Sequence, residues 1–314
     1  MIISASRRTD IPAFFSDWMF NRLKAGSCMV RNPYNRKVSE IPLTKDDIDC
    51  IVFWTKNPEP MLPRLTELEV PYYFHYTITG YGRELEPTVP SFRKSILMFK
   101  DLHNKGNGHV IWRYDPIIFA GKYTVDWHLK TFEAIAGELC GYTDRCVISF
   151  FDMYPHLRDN MSGFAFHTIN DVELIHFCEK LVKIAAGYGM TVSSCAEEVD
   201  LDACGIRHNR CIDPDYITSI TGIPLNIGKD KGQRAECGCA GSVDIGKYNT
   251  CRHNCRYCYA RRGASVPCPY DPDSPILCDM LREGETYTRR EFKDIKETQA
   301  ENPQQLRLFD ESDG

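Results

Sequence analysis

The chain has no uninterrupted apolar run long enough to cross a bilayer, and its opening, MIISASRRTD, has neither a basic leader nor an apolar stretch. A soluble, cytoplasmic protein that neither spans nor binds a membrane is therefore expected. Global positive charge is also missing: 38 Lys and Arg stand against 43 Asp and Glu, a formal net charge of −5. The acidity is local, because residues 279–314 hold ten Asp and Glu against six Lys and Arg. No internal repeat is present. Wholesale disorder is excluded as well, since 314 residues at 43% hydrophobic can bury a large core.

Cysteine, by contrast, is plentiful. Fifteen are too many for chance and too few for a small disulfide scaffold. Ten lie between Cys195 and Cys278; the other five, Cys28, Cys50, Cys140, Cys146 and Cys178, read as small buried residues. Thiols concentrated in one stretch of a cytoplasmic chain point to metal.

Short apolar segments alternate with helical stretches, the pattern of a parallel α/β sheet or barrel. Strands are expected at 2–6, 50–54, 72–78, 109–113, 145–150, 190–194 and 242–245, with helices at 13–24, 91–105, 126–139 and 169–188. The strands end on polar residues: Ser6-Arg7-Arg8-Thr9-Asp10, Thr55-Lys56-Asn57, Thr79-Gly80-Tyr81-Gly82 and Arg113-Tyr114-Asp115-Pro116. Such residues cap helices and fill turns, yet four such endings together favour the ligand-lined mouth of a barrel. The expected fold is α/β, a partial or complete TIM-like (β/α) barrel over residues 1–262. A wrapping loop at 263–280 and a charged tail at 281–314, either a solvated helix or disordered, follow.

The most specific motif is Cys251-Arg252-His253-Asn254-Cys255-Arg256-Tyr257-Cys258. Three thiolates on one loop can hold three irons of a cubane and leave the fourth open to a chelating ligand. A zinc site is the alternative, with Cys237, Cys239 or His253 as a fourth ligand. The spacing, with an aromatic before the last cysteine, resembles the radical S-adenosyl-L-methionine (SAM) superfamily. That motif normally follows the first barrel strand, whereas here it follows the last.

From residue 1 onward the phrases resemble those that come after the cluster in relatives of spore photoproduct lyase. The cluster loop CxYCY matches Cys255 to Tyr259, and SASRRTDIP at 4–12 is similar to a Ser/Thr-rich phrase leading to TDP. Thr55-Lys56, Leu85-Glu86-Pro87 and Arg113-Tyr114-Asp115-Pro116-Ile117 follow in the same order. The resemblance therefore implies a circularly permuted barrel, its cluster-bearing strand moved to the back. SASRRTD, FWTKNP, WRYDPI, CAEE and the YNTC…CRYCYA block also resemble the family designated domain of unknown function 1848.

By the radical SAM resemblance, Cys251, Cys255 and Cys258 would hold a 4Fe-4S cluster whose open iron binds SAM, reduced by a flavodoxin- or ferredoxin-type electron donor. Ser4, Ser6, Thr9 and Asp10 would lie near the ribose or methionine, Thr55, Lys56 and Tyr257 beside them, and Arg113 would pair with a carboxylate. Arg113 pairing with Asp115 is the plain alternative. A second set, Cys195, Cys211, Cys237 and Cys239, with Cys204 less favoured, is enough for another iron–sulfur cluster or a zinc ion. Unligated core cysteines, or a hydrogen-atom donor among them, are the other readings.

Residues 229–262 carry eight Lys and Arg against three acids. Either a nucleic-acid substrate or compensation of an anionic cluster accounts for this. Trp54, Tyr73, Tyr81, Trp112 and Tyr114 are candidates to stack on a flipped base, or else core. Gln305, Leu306, Leu308 and Phe309 in the tail resemble the QLxLF peptide that docks bacterial repair proteins on the sliding clamp. The function expected is a radical SAM enzyme acting on DNA in repair or modification. The alternatives are action on RNA or a small metabolite, and a non-catalytic zinc- or cluster-stabilised adaptor that binds nucleic acid and the clamp.

Overall fold

β-Branched and aromatic runs bounded by turn residues become strands, and the amphipathic stretches between them become helices. A computed structural model describes residues 1–262 and 268–296. The strands are β1 (Ile2–Ala5), β2 (Ser27–Arg31), β3 (Val38–Pro42), β4 (Cys50–Thr55), β5 (Tyr72–Thr77), β6 (Val110–Ile117), β7 (Arg145–Phe150), β8 (Thr191–Ser194), β9 (Arg207–His208), β10 (Val243–Asp244) and β11 (Tyr287–Arg289). The helices are α1 (Ile11–Phe14), α2 (Ser16–Ala25), α3 (Phe92–Lys105), α4 (Val125–Leu139), α5 (Arg158–Met161), α6 (Asp171–Gly187) and α7 (Pro214–Thr221). None of the described helices is long and apolar enough to cross a membrane.

Eight strands form one wholly parallel sheet in the order β10-β1-β4-β5-β6-β7-β8-β9. The last strand in sequence thus lies against the first, with Ile3 opposite Val243 and Ser4 opposite Asp244. A closed barrel is not found: among the described residues β9 pairs only with β8 and β10 only with β1, so the sheet stays open.

Side chains alternate across this sheet with the period of two that strands impose. Ile3, Ala5, Ile51, Phe53 and Trp112 face the helices, where Phe99, Phe132 and Leu181 meet them. Ile2, Val52, Tyr73, Ile111 and Val147 face the other way, onto Ile212, Ile217, Cys211, Cys237 and Cys239. The segment that carries the second cysteine set therefore covers the second face of the sheet. Burial on both faces explains the continuous apolar character of these strands.

Local chemistry sets the helix ends. The helix expected at 13–24 is two: Asp10 caps α1 by accepting from the Ala13 amide at 2.9 Å, and the chain breaks at Phe15 before α2. Asn170 and Glu173 form a reciprocal capping box that starts α6. Three further elements depart from expectation. β2, β3 and β11 build a small separate sheet, so part of the charged tail is a strand rather than helix or disorder. Cys140, at the end of α4, is exposed instead of buried. Cys268 and Cys278 are joined by a disulfide. The clamp-like residues Gln305, Leu306, Leu308 and Phe309 lie outside the described residues.

His128 in α4 is fully buried, its Nε2 3.0 Å from the Ile118 carbonyl and its Nδ1 2.7 Å from the Tyr114 hydroxyl. A carbonyl only accepts, so Nε2 carries the proton, Nδ1 accepts from Tyr114, and the ring is neutral. Burial pushes its pKa down from 6.5 to about 4. Folded protein therefore resists protonation more than unfolded protein does. The stability this group contributes is complete above pH 6.5 and is lost as pH falls through about 4, roughly 3 kcal/mol in all. We predict that urea denaturation at stepped pH shows a shallower decline across this window for His128→Gln than for the wild type; identical slopes would contradict the assignment.

Candidate functional site

The C-terminal ends of the parallel strands converge on a cavity of about 460 Å³. Ser6 follows β1, Thr55 and Lys56 end β4, Thr77 ends β5, Arg113 and Asp115 lie in β6, Ser149 lies in β7, and Cys195 follows β8; all line it. Cys251, Cys255 and Cys258 line the same cavity, and so do Cys211, Cys237 and Cys239. Of the residues expected to orient a ligand, Ser6, Thr9, Asp10, Thr55, Lys56, Arg113 and Tyr257 are there, and Ser4 is not.

Ser4 instead holds the cysteine-bearing strand in place. Its hydroxyl donates to Asp244 at 3.0 Å, the Ser6 hydroxyl donates to the same carboxylate at 2.7 Å, and the Arg7 and Gly246 amides donate to it at 2.9 Å each. Four donors on one carboxylate fasten the end of β10 to the end of β1. Contact is so close that a Cβ on Gly246 would stand 2.6 Å from the Ser6 Cβ, which only glycine avoids.

Beyond Gly246 the chain turns through Asn249 and Asn254, both with positive φ, a conformation asparagine tolerates. The Cys251 to Cys258 loop is tied down from several sides. The Arg256 amide donates to the Leu85 carbonyl at 2.9 Å, and the Thr88 hydroxyl donates to the Arg252 carbonyl at 2.7 Å. His253 Nε2 lies 2.8 Å from Asp10, whose carboxylate also accepts from the Lys56 amide at 2.7 Å. Glu86 accepts from Lys56 Nζ and the Thr79 hydroxyl, each at 2.8 Å, and from the Tyr257 hydroxyl. These contacts give a role to Glu86, which the sequence left without one, and engage His253, a candidate zinc ligand in the sequence, with Asp10 through its Nε2.

Burial pushes the Cys251, Cys255 and Cys258 thiols up, so at neutral pH they are thiols unless a cation claims them. Burial alone would lower the Lys56 pKa; the Glu86 carboxylate outweighs it, and the ammonium stays charged near Cys255. Among the described residues, two buried polar atoms of cavity-lining side chains have no partner, Thr9 Oγ1 and His253 Nδ1. Three adjacent thiols, a cation beside them and two unsatisfied polar atoms fit an iron–sulfur centre with a polar ligand.

Arg113 is engaged within the protein. Its Nε and Nη2 donate to Asp115 at 3.0 and 2.7 Å, and its Nη1 donates to Cys211 Sγ at 2.8 Å. Cys204 stands apart from the cavity, its thiol 3.7 Å from the Ile175 carbonyl. Tyr73, Tyr81, Trp112 and Tyr114 are core residues; only Trp54 of the five candidate stacking aromatics lines the cavity, lying on His75 with the Arg7 guanidinium 5.7 Å from its ring. Of the eight basic residues at 229–262, Arg234 and Arg262 line the cavity, joined by Arg7 and Arg8 from the first strand end. Arg8 and Arg262 flank Tyr248, at 5.3 and 4.5 Å from its ring.

Residues 2–260 match a protein family described as Domain of unknown function (DUF1848). The chain belongs to this family. The match spans the whole sheet and ends just past Cys258, so the clasp and both cysteine groups lie within the shared DUF1848 region. No curated protein and no solved structure matches the chain significantly.

Replacing Asp244 with Ala leaves two hydroxyls and two amides of this DUF1848 protein without their acceptor. The expected loss is about 2–4 kcal/mol in chemical denaturation, with Asp244→Asn intermediate. A change below about 0.5 kcal/mol, the range of ordinary surface substitutions, would contradict the clasp.

Proposed function

We propose that the protein is a radical SAM enzyme in which Cys251, Cys255 and Cys258 hold a 4Fe-4S cluster, and that its substrate is a nucleic acid, most directly DNA undergoing repair or modification. One observation carries the reading: three thiols on one short loop line a cavity at the C-terminal edge of a parallel sheet, on the chain that follows the strand paired with β1. A circularly permuted partial (β/α) barrel accounts for a cysteine loop that comes last in sequence yet stands beside the first strand.

Cys251, Cys255 and Cys258 would hold the cluster, which would supply one-electron reductive cleavage of SAM and thereby hydrogen-atom abstraction from substrate. This chain's residues bind, orient and exclude water. Thr9 and His253 offer their unpartnered atoms to the polar groups of SAM. Lys56, held by Glu86, offsets negative charge near Cys255. Tyr257 packs beside Tyr81 and, through its hydroxyl, fixes Glu86. Asp10 keeps His253 and the start of α1 in register with the loop.

The substrate reading rests on the rim. Arg8 and Arg262 both lie against the Tyr248 ring, Arg7 lies over Trp54, and the exposed Tyr259 donates its hydroxyl proton to the Arg7 carbonyl. Guanidiniums interleaved with aromatic faces suit a phosphate backbone carrying stackable bases.

Two measurements test this. Reconstituted protein with dithionite and SAM is expected to release 5'-deoxyadenosine, and Cys255→Ala none above background; zinc without iron and no cleavage would overturn the enzyme reading. For the substrate, fluorescence anisotropy of labelled DNA across a salt series should give a log–log slope smaller by about 2 in the Arg8→Ala/Arg262→Ala double variant. An unchanged slope would remove nucleic acid from this rim.

A further inference from the structure

The second cysteine group lies over the second face of the sheet, where the Tyr73 hydroxyl donates to the Cys211 carbonyl at 2.6 Å, and it is drawn from three stretches of chain. Cys195 follows β8, Cys211 follows β9, and Cys237 and Cys239 precede β10. We propose that these four thiols bind one zinc ion, which ties the chain after β8, the chain after β9 and the chain before β10 together over that face. This site is separate from the Cys251 loop and does not depend on that loop's function.

Several observations converge on it. Cys195 and Cys211 Sγ are already 3.4 Å apart, close to the roughly 3.8 Å edge of a tetrahedron of thiolates around one ion at about 2.3 Å. Thiolates bound to separate irons of a cubane stand farther apart. Cys239 lies against both Cys211 and Cys237. Backbone contacts hold the two segments in place: the Ala240 amide donates to the Ile212 carbonyl at 3.0 Å, and the Asp230 amide donates to the Cys239 carbonyl at 2.9 Å. Cys211 Sγ also accepts from Arg113 Nη1 at 2.8 Å and Asn209 Nδ2 at 3.2 Å, donors suited to a thiolate rather than a thiol. The Arg7 guanidinium faces Cys239 and Cys211 as well, so two cations stand near a centre whose four thiolates and one divalent ion would sum to −2.

Among the described residues no three His, Cys, Asp or Glu side chains are yet drawn into a coordination shell. Zinc binding would therefore displace the thiol protons and pull the 237–239 loop onto the Cys195–Cys211 pair. Stability would follow from the linkage, since the ion binds ligands that only the folded chain brings together.

The test uses the full chain with Cys251, Cys255 and Cys258 changed together to Ser, so that failure of the cluster loop cannot obscure the result. Metal analysis of this variant is expected to find about one zinc per chain and no acid-labile sulfide. Cobalt(II) in place of zinc should give the tetrahedral bands of a tetrathiolate site. Adding Cys237→Ser to the variant should shift those bands, and adding Cys195→Ser/Cys211→Ser should abolish binding. Iron with sulfide in the triple variant, no bound metal, or a cobalt spectrum unaffected by Cys237→Ser would each overturn the proposal.

Discussion

The Asp244 carboxylate is the point on which the rest of the structure depends. A strand of two residues cannot hold itself in a sheet by backbone hydrogen bonds alone, yet β10 must anchor the loop that carries Cys251, Cys255 and Cys258. Asp244 solves this by accepting from two hydroxyls and two amides of the first strand end and its own turn. Charge-assisted hydrogen bonds to an enclosed carboxylate are each stronger than neutral ones. The pairing of Ser4 with Asp244 thus converts two distant parts of the chain into one wall of the cavity.

Around that wall sulfur and cations are interleaved, as where Arg113 Nη1 donates to Cys211 Sγ. Seven cysteines line a single cavity, three from the loop after β10 and four from the segment that covers the sheet's second face. Lys56, Arg113, Arg7 and Arg8 stand among them. Buried guanidinium and ammonium groups are costly unless paired. Glu86 pairs with Lys56, Asp115 with Arg113, Asp230 with Arg7 and Asp244 with Arg8, and the thiols, once deprotonated, are further negative partners for these cations. A site assembled in this way is prepared for anionic metal–thiolate centres.

Much of the fold was legible in the sequence, because parallel strands buried on both faces are short continuous apolar runs. The strand at 145–150 has the expected bounds, and the capping box at Asn170 gives α6 its start within two residues of expectation. The cysteine loop was legible for the same local reason, a fixed spacing. What sequence did not show was pairing at long range. β2, β3 and β11 carry no strong period and are strands only because they find each other. The sequence offers Asp115 as a partner for Arg113, and the pair forms, but nothing near Arg113 in sequence announces Cys211 as a second partner. The buried aromatics Tyr73, Tyr81, Trp112 and Tyr114 could not be told from Trp54 by spacing alone. Arg7 and Arg8 belong in sequence to a polar strand end, and only the fold brings them to the same rim as Arg234 and Arg262 of the distant basic segment.

The proposed role of Cys251, Cys255 and Cys258 is to present a four-iron cluster with one iron open to the cavity. Electron paramagnetic resonance of the dithionite-reduced, reconstituted protein, recorded with and without SAM, tests that role directly. A 4Fe-4S signal whose g-values move when SAM is added is expected, because the ligand would bind the iron that no cysteine holds. A cluster signal indifferent to SAM, or no cluster signal at all, would contradict it.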